Sequence, residues 1–387
     1  MTPRAILPGA TLGVMGGGQL GRMFVQAAQS MGYFTAVLDP DVTSPAGLVA
    51  HYHIEADYLD EQGLAQLMQR SAAITTEFEN VPAGALVTLG AHRPVAPTAD
   101  AVAVCQDRAS EKAQFRRSGI PCAPFALIDT PERLAAVPDS LLPGILKTAR
   151  LGYDGKGQAV VADRAALAAA WYALGQVPCV LEQKLPLALE LSVVVARSAG
   201  GDVVQLPVQQ NLHRGGILAV TQVPAPDASA ALQAQAAASA AQLATDLHYV
   251  GVLCVEFFVT TDGQLVANEM APRPHNSGHW SIDGADISQF DLQVRTLCGL
   301  PLVAPRQHSS AVMLNLLGDL WFGADGAERT PPWGAVLALP GTHLHLYGKA
   351  SARRGRKMGH LTVTAATADT ARATALQAAA LLGLPAF

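Results

Sequence analysis

Residues 250–279 read VGVLCVEFFVTTDGQLVANEMAPRPHNSGH. Two β-rich runs, 250–260 and 264–268, flank Asp262-Gly263, a preferred two-residue hairpin turn. With that turn Thr261 pairs with Gln264, and the same register sets Glu256 opposite Glu269. Their Cβ atoms would then lie about 4.5–5.5 Å apart on one face. Like charges so placed repel unless something sits between them. A divalent cation answers this, and carboxylate oxygens favour Mg²⁺. A solvated or proton-sharing pair, or a different loop length, is the plain alternative. A dense polar loop follows, from Pro272 to His279. Arg273 offers a fork for an oxyanion, and the prolines stiffen the chain. His275 and His279 are spaced i, i+4 as in a helical metal pair, but Pro274 and Gly278 argue against a regular helix.

Working outward, GYDGKGQ at 152–158 lies between candidate strands 144–148 and 158–161, and Lys147 is on the first of them. Glycine lets a backbone approach phosphates, and lysine neutralises them. No Gly-Lys-Ser/Thr opens a helix, so this is not a Walker A loop. A solvated hairpin turn is the alternative. Near the N-terminus, Gly16-x-Gly18-x-x-Gly21 joins a strand at 11–15 to a helix at 19–31, and Asp39 ends the next strand, 33–38. That is the dinucleotide fingerprint. Nothing later supplies hydride chemistry, so a tight turn or another phosphate site competes with NAD. Near the C-terminus, five basic residues fall within nine positions: Lys349, Arg353, Arg354, Arg356 and Lys357. Gly348, Gly355 and Gly359 suggest a shaped loop suited to a phosphate-bearing substrate; a solvated loop is the alternative.

The whole chain has 387 residues, enough for two or three domains. Half of it is apolar and only 15% is charged, which excludes a disordered chain and a coiled coil. The net charge of −5 makes a nucleic-acid partner unexpected. The five cysteines are odd in number and widely spaced, pointing to reduced core thiols in a cytoplasmic protein. No apolar run is suited to spanning a membrane. The first ~100 residues alternate strand and helix, as in a parallel sheet. Further strands are expected at 125–128, 177–183, 191–197, 203–208, 217–223, 311–316, 343–347 and 361–365. Helices are expected at 228–247, 287–297 and 370–382. Domain boundaries fall near 105 and 300.

A Gly-rich cover, a strand lysine and an opposed glutamate pair together resemble an ATP site of the ATP-grasp type. More specifically, the chain resembles the N5-carboxyaminoimidazole ribonucleotide synthetase family. The matching stretches are GGGQLGRM at 16–23, TEFENVP at 76–82, QDRASEK at 106–112, GYDGKGQ at 152–158, Glu182-Gln183, NEMAPRPHNSGH at 268–279 and GRKMGH at 355–360. The resemblance implies three α/β units: a Rossmann-like preATP-grasp domain at 1–105, an ATP-grasp domain at 106–300 and a small C-terminal domain at 301–387. It implies that Arg108 and Lys147 contact ATP phosphates, with Gly152, Tyr153, Asp154, Gly155, Lys156, Gly157 and Gln158 folding over them. Glu182, Gln183, Lys184 and Leu185 would face adenine, and Glu190 the ribose. His213 would complete the nucleotide site. Glu256 and Glu269 would hold Mg²⁺, with Asn268 beside them. Gln19, Tyr153, Asp154, Lys349 and Arg356 would bind the ribonucleotide. Glu77, Arg273, His275, Asn276 and Ser277 would surround the bicarbonate chemistry. Arg354 and Lys184 depart from the family pattern, at positions where proline and a small residue are common.

The reaction so implied joins bicarbonate to aminoimidazole ribonucleotide, releasing ADP and phosphate through carboxyphosphate. A homodimer is implied by the family alone. A formate-dependent transformylase of the same superfamily would share the ATP features but gives no reason for the Pro-Arg-Pro-His-Asn-Ser loop. An NAD oxidoreductase explains only the first glycines and Asp39. A catalytically dead scaffold gives no reason for both carboxylates, Lys147 and the Gly-rich loop.

Overall fold

The structure is a computed structural model that describes residues 5–152 and 157–387. Four short parallel strands open it: β1 (Thr11–Met15), β2 (Phe34–Leu38), β3 (Tyr52–Ile54) and β4 (Ala73–Thr76), in the order β3-β2-β1-β4. Strands β1 and β4 are buried on both faces, as helix-covered parallel strands require, while the edge strand β3 is partly exposed. The helix Gln19–Ser30 packs Leu20, Phe24 and Ala28 against Val14 and Val37 of the sheet.

A second sheet, ordered β5-β8-β6-β7, is antiparallel: β5 (Phe125–Ile128), β6 (Gly144–Thr148), β7 (Gln158–Val161) and β8 (Cys179–Gln183). The central sheet comprises β9 (Leu187–Arg197), β10 (Val203–Gln205), β11 (Gln209–Arg214), β12 (Ile217–Val223), β13 (Gly251–Thr260), β14 (Leu265–Ala271), β15 (Ser310–Leu317), β16 (Thr342–Leu346) and β17 (Lys357–Ala365). Its order is β14-β13-β9-β11-β12-β15-β17-β16, with β10 beside β9. The C-terminal strands therefore extend the central sheet through the β12–β15 pairing.

Alternation along β9 and β13 divides the two faces of this sheet. Leu191, Val193, Val195, Leu253, Val255 and Phe257 bury against the helix Ala230–Asp246, which Ser229 caps. Ser192 and Glu256 pair across the strands on the other face, where Gln209 also pairs with Ser192. Sequence reading missed β11 because its side chains are mostly polar: it reads QQNLHR and shows no hydrophobic alternation.

Candidate active site

The hairpin differs from expectation in a way that preserves its consequence. Thr260, not Thr261, closes the turn on Gln264, so the loop has three residues, Thr261-Asp262-Gly263. Gly263 takes φ +83°, as the left-handed last position of such a loop prefers glycine. That shift alone would pair Glu256 with Asn268 and turn Glu269 to the far face. A β-bulge restores the register: Phe257 pairs with Ala267, yet Glu256 pairs with Glu269, leaving Asn268 as the extra residue.

A bulge frees backbone groups, and the helix Arg108–Arg117 supplies their partners. The buried Lys112 ammonium donates to the Asn268 carbonyl at 2.8 Å, and the Met270 N–H donates to Glu111 at 2.6 Å. Arg108 from the same helix pairs with Glu269 at 3.2 Å. Lys112 also reaches Glu182 on β8 at 3.1 Å, and Lys147 on β6 reaches its other oxygen at 2.9 Å. Burial alone would raise the Glu182 pKa; Lys147 and Lys112 outweigh it and hold the carboxyl down at about 2. Burial lowers the Lys147 ammonium, against the pull of Glu182.

On the other side of the pair, Glu256 contacts His275 Nε2 at 3.0 Å. His275 is held on every edge. Ser277 Oγ lies 2.9 Å from its Nδ1, and Gln289 both accepts its N–H and donates to its carbonyl at 2.8 Å. Burial favours the neutral imidazole, but Cys254 and Glu256 push it up to about 10. His279 is buried with its Nδ1 against Gln289, so the two histidines serve different partners and make no metal pair. Arg273 forms an ion pair with Glu79, and that carboxyl is held at about 2 despite burial. Glu190 bonds His213 at the far end.

Each carboxylate of the opposed pair thus leans on a base. Asn268 Oδ1 is buried without a hydrogen-bond partner among the described residues. Two carboxylates and an orphaned amide oxygen form an all-oxygen donor set, which fits a hard divalent cation.

The Gly-rich turn is filled by the protein itself. Asp39 accepts the Gly17 N–H at 2.6 Å and the Tyr58 hydroxyl at 2.6 Å. Glu77 accepts the N–H groups of Gly18 at 3.0 Å and Gly21 at 3.1 Å, acting as the anion at that helix start. A Cβ at Gly16, whose φ is +102°, would stand 2.5 Å from Glu77 Cγ. The glycines admit Glu77, and the acidic residue of an NAD site is engaged with the turn. Desolvation raises the Glu77 pKa, opposed by these two N–H groups.

One cavity of about 370 Å³ gathers most of the expected residues. Arg108, Lys147, Gly152, Gln158, Glu182, Gln183, Lys184, Leu185, Glu190 and His213 line one part of it. Glu256, Asn268, Glu269, Arg273, His275 and Asn276 line the other. Gln19, Glu77, Gly157, Ser277, Lys349 and Arg356 are not among its lining residues. Gln19 opens the first helix; Lys349 donates to the Lys357 carbonyl at 2.6 Å and Arg356 to that of Ser351 at 3.0 Å. Tyr153, Asp154, Gly155 and Lys156 lie outside the described residues. Glu79, Glu111 and Lys357 also line the cavity. Sequence reading passed over the first two although both sit inside the quoted stretches TEFENVP and QDRASEK.

Three family profiles match consecutive parts of the chain: a ribonucleotide synthetase preATP-grasp domain at 9–106, an ATP-grasp domain at 113–290 and a phosphoribosylaminoimidazole carboxylase C-terminal domain at 311–374. The N5-carboxyaminoimidazole ribonucleotide synthase of Brucella melitensis is 45% identical over 366 residues, covering 94% of this chain and 98% of that one. The N5-carboxyaminoimidazole synthetase of Staphylococcus aureus, solved with ADP, is 37% identical with TM-score 0.89 and 98% coverage of both chains. The Aspergillus clavatus synthase, solved with ADP and 5-aminoimidazole ribonucleotide, is 30% identical with TM-score 0.87, covering 97% of this chain and 98% of that one.

Proposed function

The chain belongs to the N5-carboxyaminoimidazole ribonucleotide synthase family, and from that premise we propose how its residues divide the work. It is an ATP-dependent carbon–nitrogen ligase of purine biosynthesis, carboxylating 5-aminoimidazole ribonucleotide with ATP and bicarbonate. The observation that carries the assignment of roles is the single cavity joining Lys147, Glu182, the opposed glutamates and the Arg273–His275 segment. Phosphoryl donor and acceptor can meet there.

In this proposal a bicarbonate oxygen attacks the γ-phosphorus and ADP leaves. The exocyclic amine then attacks the carboxyl carbon of the resulting carboxyphosphate, phosphate departs, and the amine gives up a proton. Arg108 and Lys147 neutralise phosphate oxygens, and Glu182, Gln183, Lys184 and Leu185 face the base, with Glu190 and His213 at the ribose. Arg273 and His275, supported by Asn276 and Ser277, orient bicarbonate and offset the developing negative charge. Glu256, Glu269 and Asn268 would hold Mg²⁺, which supplies charge neutralisation on the phosphates when bound. Gln19, Tyr153, Asp154, Lys349 and Arg356 are assigned to the ribonucleotide; Glu77, assigned with Arg273 and His275 to the bicarbonate chemistry, also accepts the Gly18 and Gly21 N–H groups. Boundaries near 105 and 300, a homodimer and a cytoplasmic location belong to the same proposal; the five free thiols suit a reducing compartment. Among the described residues no helix is long and apolar enough to cross a membrane.

The test is ¹³C-bicarbonate with ATP, Mg²⁺ and aminoimidazole ribonucleotide, followed by NMR. A ¹³C carbamate resonance on the exocyclic nitrogen is expected. Label found only on a ring carbon, or no label in the ribonucleotide, contradicts it.

A further inference from the structure

Polar residues in the middle of a sheet are costly unless they are paired, and apolar ones would stabilise it more. Yet one cross-strand row of the central sheet, Glu269–Glu256–Ser192–Gln209, is polar over four strands. Ser192 and Gln209 are fully buried and do not line the cavity. They are joined by Asn211 and Thr221, also buried.

The connections form a branched chain. Ser192 Oγ lies 2.8 Å from Ser277 Oγ and 3.1 Å from Gln209 Oε1. Asn211 Nδ2 donates to Ser192 at 2.8 Å, and Thr221 donates to Asn211 Oδ1 at 2.9 Å. Gln209 Nε2 donates to the Pro207 carbonyl, which fixes Oε1 toward Ser192. Ser192 is therefore tied on three sides, and two of its anchors sit on the adjoining β11. Its remaining contact, Ser277, belongs to the short turn Asn276–Gly278, which has no ladder hydrogen bonds of its own. Ser277 in turn touches His275 Nδ1.

We infer that Ser192, fixed by Gln209 and Asn211, is a positioning residue that sets the His275 ring against Glu256 by acting through Ser277. The inference rests on the proposed role of His275 in the carboxylation. Gln289 already fixes the His275 backbone, but an imidazole can still turn about its side-chain torsions. Glu256 meets one ring nitrogen at 3.0 Å, and the ring plane is set by what holds the other. Ser277 holds it with its hydroxyl at 2.9 Å and its backbone N–H at 3.3 Å; Ser192 ties that hydroxyl to the sheet that also carries Glu256.

The experiment is a double-mutant cycle on the full chain with Ser192→Ala, Ser277→Ala and the double variant, measuring kcat and the KM for ATP. Each single variant is expected to lose about 10- to 100-fold in kcat. KM for ATP should stay within about twofold, since nucleotide contacts are untouched. The double variant should be no slower than Ser277→Ala, because Ser192 acts only through Ser277. Multiplicative losses, or a wild-type kcat in Ser192→Ala, would overturn the inference. If Ser192→Ala unfolds, Gln209→Met keeps the hydroxyl and removes one anchor; a kcat loss of about 3-fold or more is then expected, and none overturns it. Wild-type protein that makes no carbamate would instead overturn the proposed function, so the two failures are distinguishable.

Discussion

At the scale of single residues, the site is a set of charges each answered by another. Glu182 is the plainest case, a buried carboxylate between two buried ammonium groups. Replacing it with Gln leaves Lys112 and Lys147 short of their counter-ion, and a loss of roughly 3–5 kcal/mol is expected at neutral pH. The pH dependence has a definite sign. The folded carboxyl sits at about 2, below its ordinary 4.5, so its stabilisation is present above about 4.5 and lost as pH falls toward 2. Urea unfolding of wild type and Glu182→Gln should show a gap at pH 7 that narrows as the medium is acidified below pH 4.5. A gap that widens on acidification contradicts this. The sequence set Lys147 on the strand before the Gly-rich loop and the family resemblance pointed to Glu182, but neither showed their pairing. The two residues are 35 positions apart and meet only because β6 and β8 are neighbours.

At the scale of elements, the hairpin shows how a correct contact can follow from an incorrect turn. Asp262-Gly263 signals a turn, and composition cannot distinguish a two-residue loop from a three-residue one ending in glycine. The bulge at Asn268 is equally silent in sequence, since its cause lies on another element: Lys112 and Glu111 bind the groups it releases. Strand β11 was illegible for the opposite reason, because its site-facing side chains are polar and erase the period-2 signal. The first glycines carry the dinucleotide fingerprint, with a tight strand-to-helix turn as the alternative, and the anion they meet in the structure is Glu77. If the helix Arg108–Arg117 holds the bulge, Lys112→Met should lower stability by roughly 1–3 kcal/mol in denaturant, with Lys147 still pairing Glu182. A change below about 0.5 kcal/mol would show that the clamp contributes nothing, being no larger than a neutral surface substitution.

At the scale of the whole molecule, the alternating elements and the β-rich middle were legible, whereas the continuity of the central sheet was not. Strands expected at 311–316, 343–347 and 361–365 exist, and they lengthen the ATP-grasp sheet rather than closing on themselves. Val220 of β12 packs in one core with Val312, Leu314, Leu361 and Ala375. Cutting the chain after Pro305 would bare that core and leave β12 as an unpaired edge. The 1–305 fragment should aggregate on size-exclusion chromatography; a monomer with cooperative unfolding would contradict this continuity. The same sheet carries the opposed glutamates, so its integrity and the chemistry are linked. The most direct measurement is ADP release by the full chain with ATP, Mg²⁺ and bicarbonate, with and without aminoimidazole ribonucleotide. The cavity that joins the nucleotide residues to Arg273 and His275 predicts release that depends strongly on the ribonucleotide. Release at the same rate without it would contradict the account.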